Sequence, residues 1–535
     1  MKKALCGILA LAMAIASMAL PAMAEEERPT LTILLEQQAT VEDFETNACT
    51  LWIEDKIGAN LDFILAPNGS IKEKMNILLN SGDYPDIFYH RVPDENLYGV
   101  ETGILMDLTP LIPDMEYLNY ALDYYPEMYD RMYASDGKLY SFPTYGGVGY
   151  HGQYAVKCFI NSANLEKLGM EAPTTTDELY TLLKAWKDLD PDKHLGLIGS
   201  AEMDRSNPVF FLTNPFTYQP MTDPGFHLGL RLHDETIETL YDDEEYREAL
   251  RYIHKLYAEG LLYEGSFTMS REQATALMAS EGEPVMCWTT THNVRLVNAS
   301  NSPELYAHTD HLTPLVGPEG KQYVSFTPQN VNRFLSIAST CEHPEIAAQF
   351  ADLFYNWEAY AVLNYGPIEL GHWRLPTEEE IKLCEEAGVT PVTFLQVGAF
   401  ESGVQNYKWQ PLLPYACPMA GPGVPYSKEL PVDYSQCDFD DPANGEAYRF
   451  YATKTQYEPY YQDEYRTLPS LKFTADENEE RATLEVSLES YLSQARMDFV
   501  TGAKSLDTDW DAYVSGIQNL QMGRLIEIYQ TAYDR

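Results

Sequence analysis

Short apolar runs alternate with stretches of helical spacing along the first hundred residues. Thr30–Leu35 suits a strand, the cluster around Cys49–Ile57 stops at Gly58, and Leu61–Leu65 reads as a second strand. Ile71–Leu79 carries Met75, Leu78 and Leu79 at helical intervals, and Ser81–Gly82 closes it before the strand Asp86–Tyr89. Strand, helix, strand at this spacing predicts an α/β protein with a mostly parallel sheet covered by helices.

Further along, Asp136–Gly137 supplies a turn ahead of Leu139–Phe142, and Pro143 restricts the backbone beyond that short strand. Tyr145, Gly146, Gly147, Gly149 and Tyr150 then set aromatic rings beside permissive backbone, the pattern of a crossover or cleft edge. Two helices stand out: Asp177–Lys187, capped by Thr175 or Thr176, with Leu179, Leu182, Leu183 and Trp186 on one face, and Glu244–Glu259, stopped by Gly260. Their polar faces lack a dense Lys/Arg band, so the apolar stripes read as core packing. Thr474 and Glu477 form a capping box before a long amphipathic segment ending at Gly502, and a further helical stretch starts at Trp510.

The start of the chain is different. Lys2 and Lys3, the apolar run through Leu20 and Ala22–Met23–Ala24 compose a cleavable export signal over residues 1–24. No later stretch is apolar for long enough to span a membrane, and Cys6 precedes the apolar run, where a lipid-modified cysteine would come after it. An exported protein without a lipid anchor is expected, extracellular or associated with the cell surface, and periplasmic in a cell with two membranes. Length after the signal calls for two or three lobes. The chain holds 36 Lys+Arg against 81 Asp+Glu, a net charge of −45, which repels polyanions and excludes nucleic acid as a partner. The cysteines after the signal are scattered and odd in number, without a zinc or redox spacing; Cys417–Cys437 is the candidate bridge.

Familiar enzyme signatures are missing: no phosphate loop ending in Lys-Ser/Thr, no G-x-S-x-G elbow, no H-E-x-x-H helix. His308, Asp310 and His311 are weak metal candidates, and no cofactor is expected. Aromatic side chains are abundant, with 39 Tyr and 7 Trp, and flat rings with polar rims stack on sugar faces while carboxylates and amides bond hydroxyls. The aromatic residues at polar or Gly/Pro breaks are Tyr89 (beside His90 and Arg91), Tyr145, Trp288, Trp373 and Trp409.

Ser81–Gly82–Asp83–Tyr84–Pro85–Asp86–Ile87, Gly103–Leu108, Asp136–Pro143, Lys255–Leu262, Gly317–Lys321 and the end from Trp510 to Arg535 stand in the order seen in extracellular solute-binding proteins of the family 1 type. The chain resembles the long sugar-binding receptors of ATP-driven (ABC) importers over nearly its whole mature length. The resemblance implies a periplasmic-binding-protein-like fold with two discontinuous α/β lobes: residues 28–150 and about 325–375 in the first, 151–324 and about 376–535 in the second. It implies a monomer that holds a carbohydrate, an oligosaccharide, in the interlobe cleft and delivers it to ABC permease subunits, with no catalysis. Loop position and resemblance together nominate Asp86, Arg91 and Glu369 as polar contacts and Tyr145, Trp288 and Trp373 as stacking platforms, with His90, His372 and Trp409 beside them. Those long receptors often carry a calcium loop after the helix matching Asp177–Lys187; here only Asp188–Lys193 stands there, too few oxygens for a calcium cage. The competing readings are a secreted carbohydrate-active hydrolase, which needs two converging carboxylates, and a peptide-binding receptor.

Overall fold

A computed structural model describes residues 28–146, 150–201, 204–222, 225–297, 302–328, 330–386, 393–397, 403–409, 452–469, 471 and 473–535. The export signal and the Cys417–Cys437 pair lie outside the described residues. In chain order the strands are β1 (Thr30–Glu36), β2 (Asn60–Ala66), β3 (Ile87–Tyr89), β4 (Phe142–Gly146), β5 (Lys157–Asn161), β6 (Leu195–Ile198) and β7 (Leu230–His233). Then come β8 (Thr236–Thr239), β9 (Val285–Thr290), β10 (Thr309–Leu312), β11 (Asn330–Ile337), β12 (Trp373–Arg374), β13 (Leu395–Gln396) and β14 (Tyr465–Arg466).

The first lobe is built on a five-stranded sheet of order β2-β1-β3-β11-β4. β1 pairs in parallel with β2 from Thr30 opposite Asn60 to Glu36 opposite Ala66, and with β3 on its other side. Its continuous apolar run is explained by burial on both faces: Leu31, Ile33 and Leu35 enter one core with Ile87 and Tyr89, while Leu34 enters another with Met75, Leu78 and Phe88. β11 returns from the second lobe antiparallel to β3 and β4. Pro143 lies inside β4, an edge strand that pairs only with β11, where a missing backbone N–H is tolerated.

The second lobe carries a four-stranded sheet, β10-β5-β9-β6, and a three-stranded one, β14-β7-β8. Its helices form as their sequence signals predict. Thr175 and Glu178 make a full capping box for Thr176–Leu189, Thr474 and Glu477 make another for the 27-residue helix Ala475–Thr501, and Gly502 closes the latter at φ 79°. Leu179, Leu182, Leu183 and Trp186 are buried in one core with Leu250, Ile253, Leu488 and Leu492.

One expected boundary moves. Phe394 and Trp409, assigned by sequence to the second lobe, pack in the first core. Trp409 donates its indole N–H to Thr50 Oγ1 at 2.9 Å, and Gln405 N–H bonds Thr40 O at 3.0 Å. Residues 393–397 and 403–409 therefore pack with the first lobe, past its expected end near residue 375, because Phe394 and Trp409 fill the core behind β1 and β3.

Candidate functional site

β1, β2 and β3 run parallel, so their carboxyl ends share one edge of the first sheet. β4 also ends there, and β11 starts there. Strand order reverses at β1, whose neighbours β2 and β3 lie on opposite sides. In open α/β sheets ligands settle in the crevice outside carboxyl ends at such a reversal. Glu36–Gln38 follow β1 and His90–Arg91 follow β3 at this edge.

The second sheet has a matching edge. β6 and β9 are parallel and end at Ile198 and Thr290; Lys157 begins β5 opposite Thr290, and Leu312 ends β10 opposite Cys158. One crossover runs from Gly146 on the first edge to Lys157 on the second, the other from Leu312 back to Asn330. The two crossovers are bonded together, Thr327 N–H to Gln153 O at 2.7 Å. Both connections join the same pair of edges.

His90 has the most unusual backbone at the first edge. Its φ is 65°, a left-handed conformation seldom taken by a side chain other than Gly or Asn and costing of order 1–3 kcal/mol. Its N–H is held by Phe334 O at 2.6 Å, and its Nδ1 is buried without a hydrogen-bond partner. Burial lowers the imidazole pKa, the neighbouring Arg91 lowers it further and Glu36 opposes them, so the ring is neutral near pH 7. Arg91 is exposed. Behind this pair, Arg333 on β11 bonds Glu95 at 2.9 Å, and burial raises the Glu95 pKa against the pull of that arginine.

The other sequence candidates divide. Asp86 precedes β3, at the opposite end from His90; its carboxylate accepts Thr32 N–H and Oγ1–H at 2.8 Å each, so it ties β3 to β1 and does not face the cleft. Trp288 is wholly buried on the inner strand β9, near-parallel to Phe159 at 6.2 Å, its N–H on Asn293 Oδ1 at 3.0 Å. Trp373 and Trp409 are buried in the first core, with Trp373 N–H on Gly366 O at 2.8 Å. None of the three presents a free ring face, because strand pairing and the first-lobe core cover both sides. Trp409 lies edge-on to Tyr89 at 5.9 Å and so backs the strand that delivers His90. Glu369 is exposed on a short turn, and His372 beside it bonds Tyr365 O at 2.8 Å and lies against the Tyr407 ring at 4.6 Å. Tyr145 is on β4 opposite Val331, at the first edge; its side chain is outside the described residues.

Sequence reasoning missed Glu95, Arg333, Ser206 and Asn293. Gly199, directly after β6, was the available signal for one of them: a Cβ there would lie 2.0 Å from Ser206 O, so the turn Asp204–Ser206 sits directly on the strand end. A surface pocket of about 190 Å³ is lined by Phe216, Glu244, Glu245, Glu248 and Glu319, and Lys321 bridges Glu245 and Glu319. Among the described residues no three His, Cys, Asp or Glu side chains gather as a metal site, and no helix is long and apolar enough to cross a membrane.

No family model matches the chain. It is 25% identical over 513 residues to the fructooligosaccharide ABC transporter substrate-binding protein FusA of Streptococcus pneumoniae, a match covering 90% of this chain and 86% of that protein. The solved structure of S. pneumoniae FusA in complex with kestose superposes with a TM-score of 0.70 at 21% identity, covering 94% of this chain and 99% of that one. An extracellular solute-binding protein from Bifidobacterium longum subsp. infantis gives a TM-score of 0.74 at 18% identity, over 95% and 98% of the two chains. The chain is thus homologous to a carbohydrate-binding protein of an ABC transporter and has the two-lobed α/β fold of the solved solute-binding proteins.

Proposed function

We propose that this chain is an extracytoplasmic receptor that captures an oligosaccharide between its lobes and, as an exported monomer, delivers it to the permease subunits of an ABC importer. The observation that carries the reading is the pair of carboxyl edges joined by bonded crossovers, with the strained, neutral His90 and the exposed Arg91 on one of them. A neutral imidazole beside a guanidinium offers hydrogen bonds of both kinds to hydroxyls, as a sugar needs. Homology to a fructooligosaccharide-binding protein supports the same ligand class. Contacts to both edges make the ligand favour the closed arrangement, and its affinity reflects that difference. Calorimetry with kestose, cellotriose and trigalacturonate tests this: saturable binding of one glycan, with no cleavage products on prolonged incubation, is expected, and His90→Ala weakens it at least tenfold. Absence of binding throughout, or hydrolysis of the glycan, overturns it. The permease role has its own test, since deleting the permease should abolish uptake while the purified protein still binds.

A further inference from the structure

Two side chains on the second edge hold buried polar atoms with no hydrogen-bond partner, Ser206 Oγ and Asn293 Nδ2, and both residues are 0% exposed. Native interiors satisfy nearly all such groups, since leaving one unpaired costs about 1–3 kcal/mol. Local geometry fixes both in place. Ser206 is seated on the end of β6 by Gly199, and its carbonyl accepts Thr289 Oγ1–H at 2.6 Å. Asn293 follows β9; the Trp288 indole can only donate, so it must meet the amide oxygen, which leaves the NH2 group as the unsatisfied end. Its backbone oxygen is engaged by Leu296 and Val297 N–H.

The positions suit one chemistry. An amide NH2 donates and a serine hydroxyl both donates and accepts, so each suits a sugar hydroxyl. Neither carries charge to balance a carboxylate. We propose that Ser206 and Asn293, at the ends of β6 and β9, belong to the second lobe's half of the ligand site and each bond a hydroxyl of a neutral glycan, reached when the lobes are apart and enclosed when they close. The assignment rests on the carbohydrate-receptor reading above.

Ser206→Ala separates a binding role from a structural one, because the Ser206 hydroxyl bonds no other group of the protein. The unliganded melting temperature should stay level or rise, while affinity for the neutral glycan that binds best, kestose or cellotriose, falls about tenfold, the loss of one good hydrogen bond. Asn293→Asp keeps the oxygen that Trp288 needs and deletes the donor; it should weaken the same binding, read as a smaller glycan-induced rise in melting temperature. Wild-type affinity in Ser206→Ala, a lower melting temperature with affinity intact, or binding of trigalacturonate alone overturns the assignment and leaves the receptor reading standing. If wild type binds none of the three glycans, the receptor reading itself falls, and this inference with it.

Discussion

His90 and Asp86 sit four residues apart in sequence and do opposite work. Asp86 completes the pairing of β3 with β1 through Thr32, whereas His90 ends the same strand with a backbone that only surrounding structure can hold. Asp86→Ala should therefore cost about 1–3 kcal/mol in urea unfolding and leave glycan affinity unchanged; lost affinity with unchanged stability would reverse the assignment. The sequence motif around Asp86 was legible as a strand start, but a carboxylate beside a strand reads the same whichever end of the sheet it occupies. Lys157 supplies a second residue-scale test. It is wholly buried at the start of β5, its ammonium bonded to Tyr154 O at 2.8 Å, and burial pulls its pKa down to about 7. An unfolded lysine titrates near 10.4, so between about pH 7 and 10 the unfolded chain keeps a proton that the folded chain has released. Stability attributable to this group rises with pH across that window, and below it the full cost of burying the charge remains. Lys157→Met should remove that part of the rise when urea midpoints at pH 7 and pH 9 are compared with wild type; an unchanged rise contradicts it.

Among the elements, helices were the most legible, because their signals are local. The capping boxes at Thr175 and Thr474 satisfy orphan N–H groups within four residues of sequence, and no tertiary partner is needed to find them. The tryptophans were not legible. Trp288 flanks a polar turn and resembles a rim residue in sequence, yet β9 is an inner strand with β5 and β6 on either side, and that pairing alone decides where the indole points. Trp409 was misplaced for the same reason: nothing local announces that residues 403–409 return to the first lobe against Thr40–Thr50. Trp409→Ala should cost about 3–5 kcal/mol. Hydrogen exchange should show the loss of protection in β1, β3 and the helix Ala48–Ile57, while the second-lobe helices keep theirs; loosening confined to the second lobe would restore the boundary near residue 375.

At the scale of the whole molecule, the two-lobed architecture was readable because ordered short motifs run the length of the chain, and the α/β alternation near the start arises from apolar periodicity. The site was less readable, since it depends on which ends of two sheets the crossovers join. The strand orders β2-β1-β3-β11-β4 and β10-β5-β9-β6 set His90 and Arg91 at one of the two edges that the crossovers join and the turns after Ile198 and Thr290 at the other. The large negative charge plays no part in that arrangement; it belongs with a solvated exterior that stays clear of polyanions. The most direct measurement is a crystal structure with the tightest-binding glycan of the calorimetric panel. Sugar rings should bridge the two edges, within hydrogen-bond distance of His90 on one lobe and of Ser206 or Asn293 on the other. Sugar bound outside the junction, for instance in the acidic pocket beside Phe216, or held by one lobe alone, would contradict it.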